Sequence, residues 1–94
     1  MPRHTFIVTI LDPLGFHARP CTQVSEVAGR FSSSITVTRT DKTDKSANAK
    51  SVMELLMLLA NCGTQLSVTA EGEDAEVACD ALVKLFETEI NISP

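Results

Sequence analysis

Residues 66–86, LSVTAEGEDAEVACDALVKLF, change hydrophobic period across a single glycine. Leu66, Val68 and Ala70 alternate with Ser67, Thr69 and Glu71, the two-residue period of a strand with one buried face. Gly72 breaks the pattern, and Glu73 and Asp74 suit the positive end of a helix. Ala75, Ala78, Cys79, Leu82, Leu85 and Phe86 then recur at three- and four-residue steps, one stripe of a helix over 75–88. Strand, turn and helix follow one another with no linker between them.

The same two periods organise the chain on the N-terminal side. Phe6, Val8 and Ile10 alternate with Ile7 and Thr9 until Asp12, Pro13 and Gly15 interrupt, so a first strand ends near Leu11. From His17 onward Pro20, Cys21, Val24, Val27, Ala28 and Phe31 share a helical face, with Gln23, Ser25, Glu26 and Arg30 outside it. Residues 34–38 alternate again, and after the polar stretch 39–44 residues 45–49 return as a short partner strand. Ser51, Val52, Met53 and Glu54 have the form of a capping box, the serine hydroxyl serving the third amide and the glutamate the first. A second helix is expected from there to about residue 60. The order is β-α-β-β-α-β-α, and the strands carry apolar residues on one face and Thr or Ser on the other. That pattern predicts an α+β open-faced β-sandwich, a four-stranded antiparallel sheet covered on one face by three helices.

Ninety-four residues, 44% of them hydrophobic, suit one compact domain spanning 1–94. A formal charge of −4 argues against a nucleic-acid partner, which calls for a basic patch. The longest apolar run, residues 55–60, is far short of the ~20 residues that span a membrane. The start shows no charged-then-apolar leader pattern, so a cytoplasmic location is expected. Cys21, Cys62 and Cys79 have neither the pairing of a disulfide framework nor zinc-knuckle spacing, and His4 has no ligand partner at a metal-binding interval. No metal is expected. Cys21 reads either as a thiol activated at a helix start or as a small apolar residue on the first helix's buried face; the second reading is preferred.

Residues 15–21, GFHARPC, hold the chemistry. His17 is either a plain helix-start residue or a reactive imidazole. Favouring the second, a helix start presents unpaired N–H groups, so the amides of Ala18 and Arg19 can hold an anion beside the ring. The Arg19 guanidinium suits phosphate oxygens, and Pro20 is tolerated in a first turn while stiffening the entry. Neutral imidazole is nucleophilic near pH 7 without an activating base, and its phosphoramidate readily passes the group onward. A carrier fits better than a hydrolase.

Residues 15–20 resemble the active-site signature of the HPr family, the histidine-containing phosphocarriers of the bacterial phosphotransferase system. Segments 35–38, 46–51, 68–74 and 82–85 resemble family segments in the same order. The resemblance implies that Enzyme I, charged from phosphoenolpyruvate, phosphorylates Nδ1 of His17, and that an enzyme II A-component accepts the group for sugar uptake. Arg19 would then stabilise the phosphate, Ala18 would supply an amide and Pro20 the site geometry, with no cofactor bound and a monomer expected. It further implies docking of partners on Phe16, Val52, Met53 and Leu56, leaving Met57, Leu58 and Leu59 to the core. Ser51 resembles the serine modified by HPr kinase/phosphorylase in some bacteria, although its role as an N-cap, at ~1 kcal/mol, accounts for it fully.

The chain also departs from the family pattern. Phe16 replaces the usual leucine or methionine, Cys21 replaces a small residue, and Glu26 and Gly29 stand where helix-one lysines are common, which weakens steering toward an acidic partner. The hairpin loop 39–45 is about three residues longer, an insertion that is cheap in closure entropy. Residues 51–58 also resemble the nitrogen-branch paralogue of the family. The alternative from another class is a non-catalytic docking module with the same fold, indifferent to loss of the His17 imidazole.

Overall fold

A computed structural model describes residues 2–42 and 45–90; residues 1, 43–44 and 91–94, among them the tip of the lengthened hairpin loop, lie outside the described residues. The elements are β1 (Arg3–Thr9), α1 (Ala18–Ala28), β2 (Ser34–Arg39), β3 (Ser46–Asn48), α2 (Val52–Leu56), β4 (Gln65–Glu71) and α3 (Ala75–Leu85). A π-helical turn, Phe86–Ile90, extends α3. The expected order is the observed one.

The four strands form one antiparallel sheet in the order β1-β4-β2-β3. Register follows from the alternation: Phe6, Val68, Val37 and Ala47 lie side by side across the sheet, and Thr5, Thr69, Thr36 and Asn48 make the next row on the opposite face. The apolar row is covered by the helices, while Thr5 and Thr69 share a hydroxyl hydrogen bond of 3.0 Å on the open side. The helical stripes read from the sequence are the buried ones: Pro20, Cys21, Val24 and Ala28 in α1, and Ala75, Ala78, Cys79 and Leu82 in α3. Burying each large apolar side chain in this layer contributes about 1.5–3 kcal/mol, so the cover of helices over one face is what holds the sheet.

Three local expectations need correction. Helix α2 is only Val52–Leu56 and does not reach residue 60. The chain turns out of it through Leu59 at φ 53°, and Arg39 from the end of β2 donates to the carbonyls of Leu58 and Leu59 at 3.0 and 3.2 Å. Those carbonyls would otherwise need further helix to satisfy them. The capping box is half formed: Ser51 Oγ accepts from the Glu54 amide at 3.2 Å, but Glu54 Oε1 accepts from the Asn48 amide, because the Ser51 amide already donates to the Asn48 carbonyl. Strand β1 ends at Thr9 rather than near Leu11: the Ile10 amide still donates in register to the Thr64 carbonyl at 2.9 Å, but the Thr64 amide turns to the Asn61 carbonyl at 2.9 Å and the Ile10 carbonyl accepts from Gly63 instead.

The turn into α3 works differently from a simple N-cap. The Asp74 carbonyl opens the helix ladder, accepting from the Ala78 amide at 2.9 Å, but its side chain makes no hydrogen bond to its own helix. The carboxylate accepts from the amides of Ser32 and Ser33, each at 2.9 Å, and from both serine hydroxyls, tying the start of β2 to the start of α3. Gly72 makes this possible: at φ 150° a Cβ there would lie 2.8 Å from Ser33 Cα.

Candidate functional site

His17 is the N-cap of α1, in an extended conformation at φ −92° and ψ −170°. Its carbonyl enters the helix ladder, accepting from the Cys21 amide at 3.1 Å, while its imidazole makes no capping hydrogen bond. The first-turn amides of Ala18 and Arg19 have no intrahelical partner by geometry, and Pro20 brings no N–H at all. The sequence therefore leaves two donors at the helix start beside a half-exposed ring.

Arg19 is exposed, and among the described residues no carboxylate lies within ion-pair distance of it. Pro20 is buried in the first turn, where its ring locks φ and stiffens the backbone. A free guanidinium, two amides and an imidazole around one helix start form an arrangement suited to an anion and a nucleophile together.

The residues before His17 anchor it. Gly15 adopts φ 73°, and a Cβ there would come within 2.9 Å of the Ala60 carbonyl oxygen. That close approach lets the Phe16 amide donate to Ala60 at 2.8 Å, stitching the site loop to the segment after α2. Ile10 and Gly63 continue the seam through the 2.7 Å bond from the Gly63 amide to the Ile10 carbonyl. Phe16 itself is only 5% exposed and stacks on Phe86 with ring centroids 6.2 Å apart. Its assignment to a docking surface is therefore corrected: Phe16 is a core residue that pins the backbone one position from the imidazole.

Asp12 is the site residue that sequence reasoning missed. It reads locally as a strand breaker before Pro13, yet its carboxylate Oδ2 lies 3.7 Å from His17 Nε2. Its other oxygen, Oδ1, accepts from the Leu14 amide at 2.8 Å, and its carbonyl accepts from the Gly15 amide at 2.8 Å. An aspartate accepting from the amide two residues on was a legible turn signal; its meeting with the imidazole was not.

Cys21 is fully buried, its thiol donating to the Phe16 carbonyl at 3.5 Å, and burial pushes that thiol up to about 11. It behaves as a small apolar side chain, as preferred above, and not as an activated nucleophile.

Around α2 the expected docking residues divide. Met53 is 70% exposed, whereas Val52 and Leu56 are half-buried and pack against the core. Met57 and Leu59, assigned to the core from sequence, are exposed, and only Leu58 of that trio is buried. The early end of α2 is the cause, because the apolar run leaves helical geometry before its stripe can be covered. Leu11 and Leu14 are also exposed, on the loop that carries His17. Ser51 serves as the α2 N-cap; its neighbour Lys50 accepts on its carbonyl from the Ser25 hydroxyl of α1 at 2.9 Å and donates through Nζ to the Phe31 carbonyl, beyond the end of that helix, at 2.7 Å. Among the described residues no helix is long and apolar enough to cross a membrane.

Set against known proteins, the chain matches the family described as the PTS HPr component phosphorylation site over residues 4–88. It is 41% identical over 85 residues to the phosphocarrier protein HPr of Lysinibacillus sphaericus, covering 90% of this chain and 92% of that protein. Identity to the phosphocarrier protein HPr of Pseudomonas putida is 42% over 79 residues, 84% of this chain and 86% of that one. Among solved structures, HPr-C-His from Thermoanaerobacter tengcongensis superposes with a TM-score of 0.84 at 34% identity, covering 97% of this chain and 99% of that one.

Proposed function

The chain belongs to the HPr family of phosphocarrier proteins of the phosphotransferase system, and from that premise we propose that His17 is its phosphoryl-carrying residue. The carrying observation is the imidazole at the α1 N-cap, uncommitted to a capping bond and set beside first-turn amides and a free Arg19. Nδ1 forms the new N–P bond while the bond from phosphorus to the donor breaks and its electron pair returns to the donor. The amides of Ala18 and Arg19 and the Arg19 guanidinium take the phosphoryl oxygens, and Pro20 keeps the first turn rigid. The donor in this reading is Enzyme I charged from phosphoenolpyruvate, and the acceptor an enzyme II A-component serving sugar uptake, all in the cytoplasm. Partners dock over Met53 and the neighbouring apolar surface. The chain needs no cofactor of its own and works as a monomer.

The test is to incubate the protein with phosphoenolpyruvate, magnesium and Enzyme I from the same organism and read intact mass. One acid-labile phosphoryl adduct, absent from His17→Ala, is the expected result. No adduct with demonstrably active Enzyme I, or an adduct that persists in His17→Ala, overturns the proposal. Arg19→Ala is expected to slow transfer about tenfold or more, the factor matching the ~1.5 kcal/mol of a hydrogen bond to a charged group. Its melting should stay within about 0.5 kcal/mol of the parent, because Arg19 is exposed.

A further inference from the structure

We propose that Asp12 is a positioning residue for His17: its carboxylate holds the imidazole proton on Nε2, so that Nδ1 presents its lone pair, and it balances the ring charge once Nδ1 is phosphorylated. The inference rests on the reading of His17 as phosphoryl acceptor and adds a residue to that site.

The geometry of the turn carries it. Asp12 is held on two sides, by the Leu14 amide on Oδ1 and by the Gly15 amide on its carbonyl. Pro13 follows with its φ locked, and Gly15 closes the turn at φ 73°. Of the carboxylate, only Oδ2 is left uncommitted by this turn, and it faces Nε2 at 3.7 Å. An ionised carboxylate only accepts, and a neutral imidazole carries one N–H. With the proton on Nδ1, the Nε2 lone pair would face a carboxylate oxygen and the two would repel. With it on Nε2, the N–H points toward an acceptor and the nucleophilic lone pair lies on Nδ1.

The same contact acts after transfer. When the Nδ1 lone pair forms the N–P bond, the donor–phosphorus bond breaks, the donor keeps that electron pair, and the Nε2 proton stays where it is. The ring then bears a positive charge, and Oδ2 is the carboxylate oxygen found beside it. Both side chains are about one-third exposed or less, at 35% for His17 and 28% for Asp12, so water screens the contact and its effect is modest.

Asp12→Asn is the discriminating variant. The asparagine keeps an oxygen for the Leu14 amide, so the turn survives, but it offers an NH2 donor to Nε2 in place of an acceptor. Asp12→Ala removes both. Imidazole 15N–1H spectra of the full chain, taken on the high-pH plateau where the ring resonances no longer move with pH, read the tautomer of the neutral ring directly. The Nε2–H form should dominate in the parent, and its ratio to Nδ1–H should fall about two- to fivefold in Asp12→Asn, the range of an exposed ion pair. Asp12→Ala should shift it in the same direction, and both variants should accept phosphoryl from charged Enzyme I more slowly by a similar factor. An unchanged tautomer ratio in both variants overturns the proposal, and so does a changed ratio with an unchanged transfer rate. If the parent itself takes up no phosphoryl group, the reading of His17 as acceptor falls, while the tautomer ratio still decides whether Asp12 sets the ring.

Discussion

Replacing Phe16 by alanine separates its two readings, core anchor and docking residue. The ring is 5% exposed, stacked on Phe86 at 6.2 Å with an interplanar angle of 25°. Phe86 in turn meets Phe6 edge-on at 6.3 Å, so one ring stack joins the site loop, the end of α3 and β1. Truncating a buried phenylalanine costs about 3–5 kcal/mol, the lost transfer term plus the cavity left behind. That is a large share of the ~5–15 kcal/mol that holds a small domain together. At about 4–8 °C per kcal/mol for a chain of this size, the melting midpoint should fall by at least ~12 °C. The assay is thermal unfolding by circular dichroism, with Met53→Ala as the control. The control side chain is exposed, so its midpoint should move by no more than about 4 °C while phosphoryl transfer from Enzyme I weakens. Should Phe16→Ala fail to fold, Phe16→Leu supplies the measurement at a smaller loss of about 1–2 kcal/mol. The reasoning is refuted if Phe16→Ala melts within about 4 °C of the parent and loses only partner binding, because the ring would then be a surface contact.

Gly15→Ala should lower stability by about 2–4 kcal/mol, combining a left-handed backbone penalty with overpacking against the Ala60 carbonyl; an unchanged urea midpoint would contradict that placement. The Asp74 carboxyl is drawn down from its ordinary 3.8 to about 2, chiefly by the Ser33 hydroxyl and then by the Ser32 amide. Its folded pKa is the lower one, so its contribution is whole above 3.8 and is lost as pH falls toward about 2. Acid titration of stability should show that loss in the parent and a smaller one in Asp74→Asn, and identical acid profiles would count against the clamp. Cys21, buried with its thiol near 11, should resist iodoacetamide in the folded protein while exposed Cys62 reacts. Mass mapping that finds Cys21 modified at a comparable rate would mean the α1 start opens.

Most of the architecture was legible in the chain because period is a local property. Leu66, Val68 and Ala70 point one way whatever surrounds them, and the stripes of α1 and α3 repeat at helical steps, so strand faces, helix faces and their order follow from neighbours along the sequence. The motif around His17 was legible for the same reason, since N-cap, first-turn amides and Pro20 are all set within one turn.

What the tertiary structure decided lies where distant segments compete for the same polar groups or the same apolar space. Helix α2 stops after Leu56 as Arg39, far away in sequence, takes the next carbonyls, and Met57 and Leu59 are exposed as a result. Glu54 turns to the Asn48 amide because the donor it was expected to serve is already used. Phe16 is buried because Phe86 comes up beneath it from the other end of the chain. The sequence by itself determined which residues are able to face the core and that the His17 imidazole sits at a helix start. Which apolar side chains gain that cover, and which carboxylate stands beside the ring, depended on partners that only the folded chain brings within contact distance.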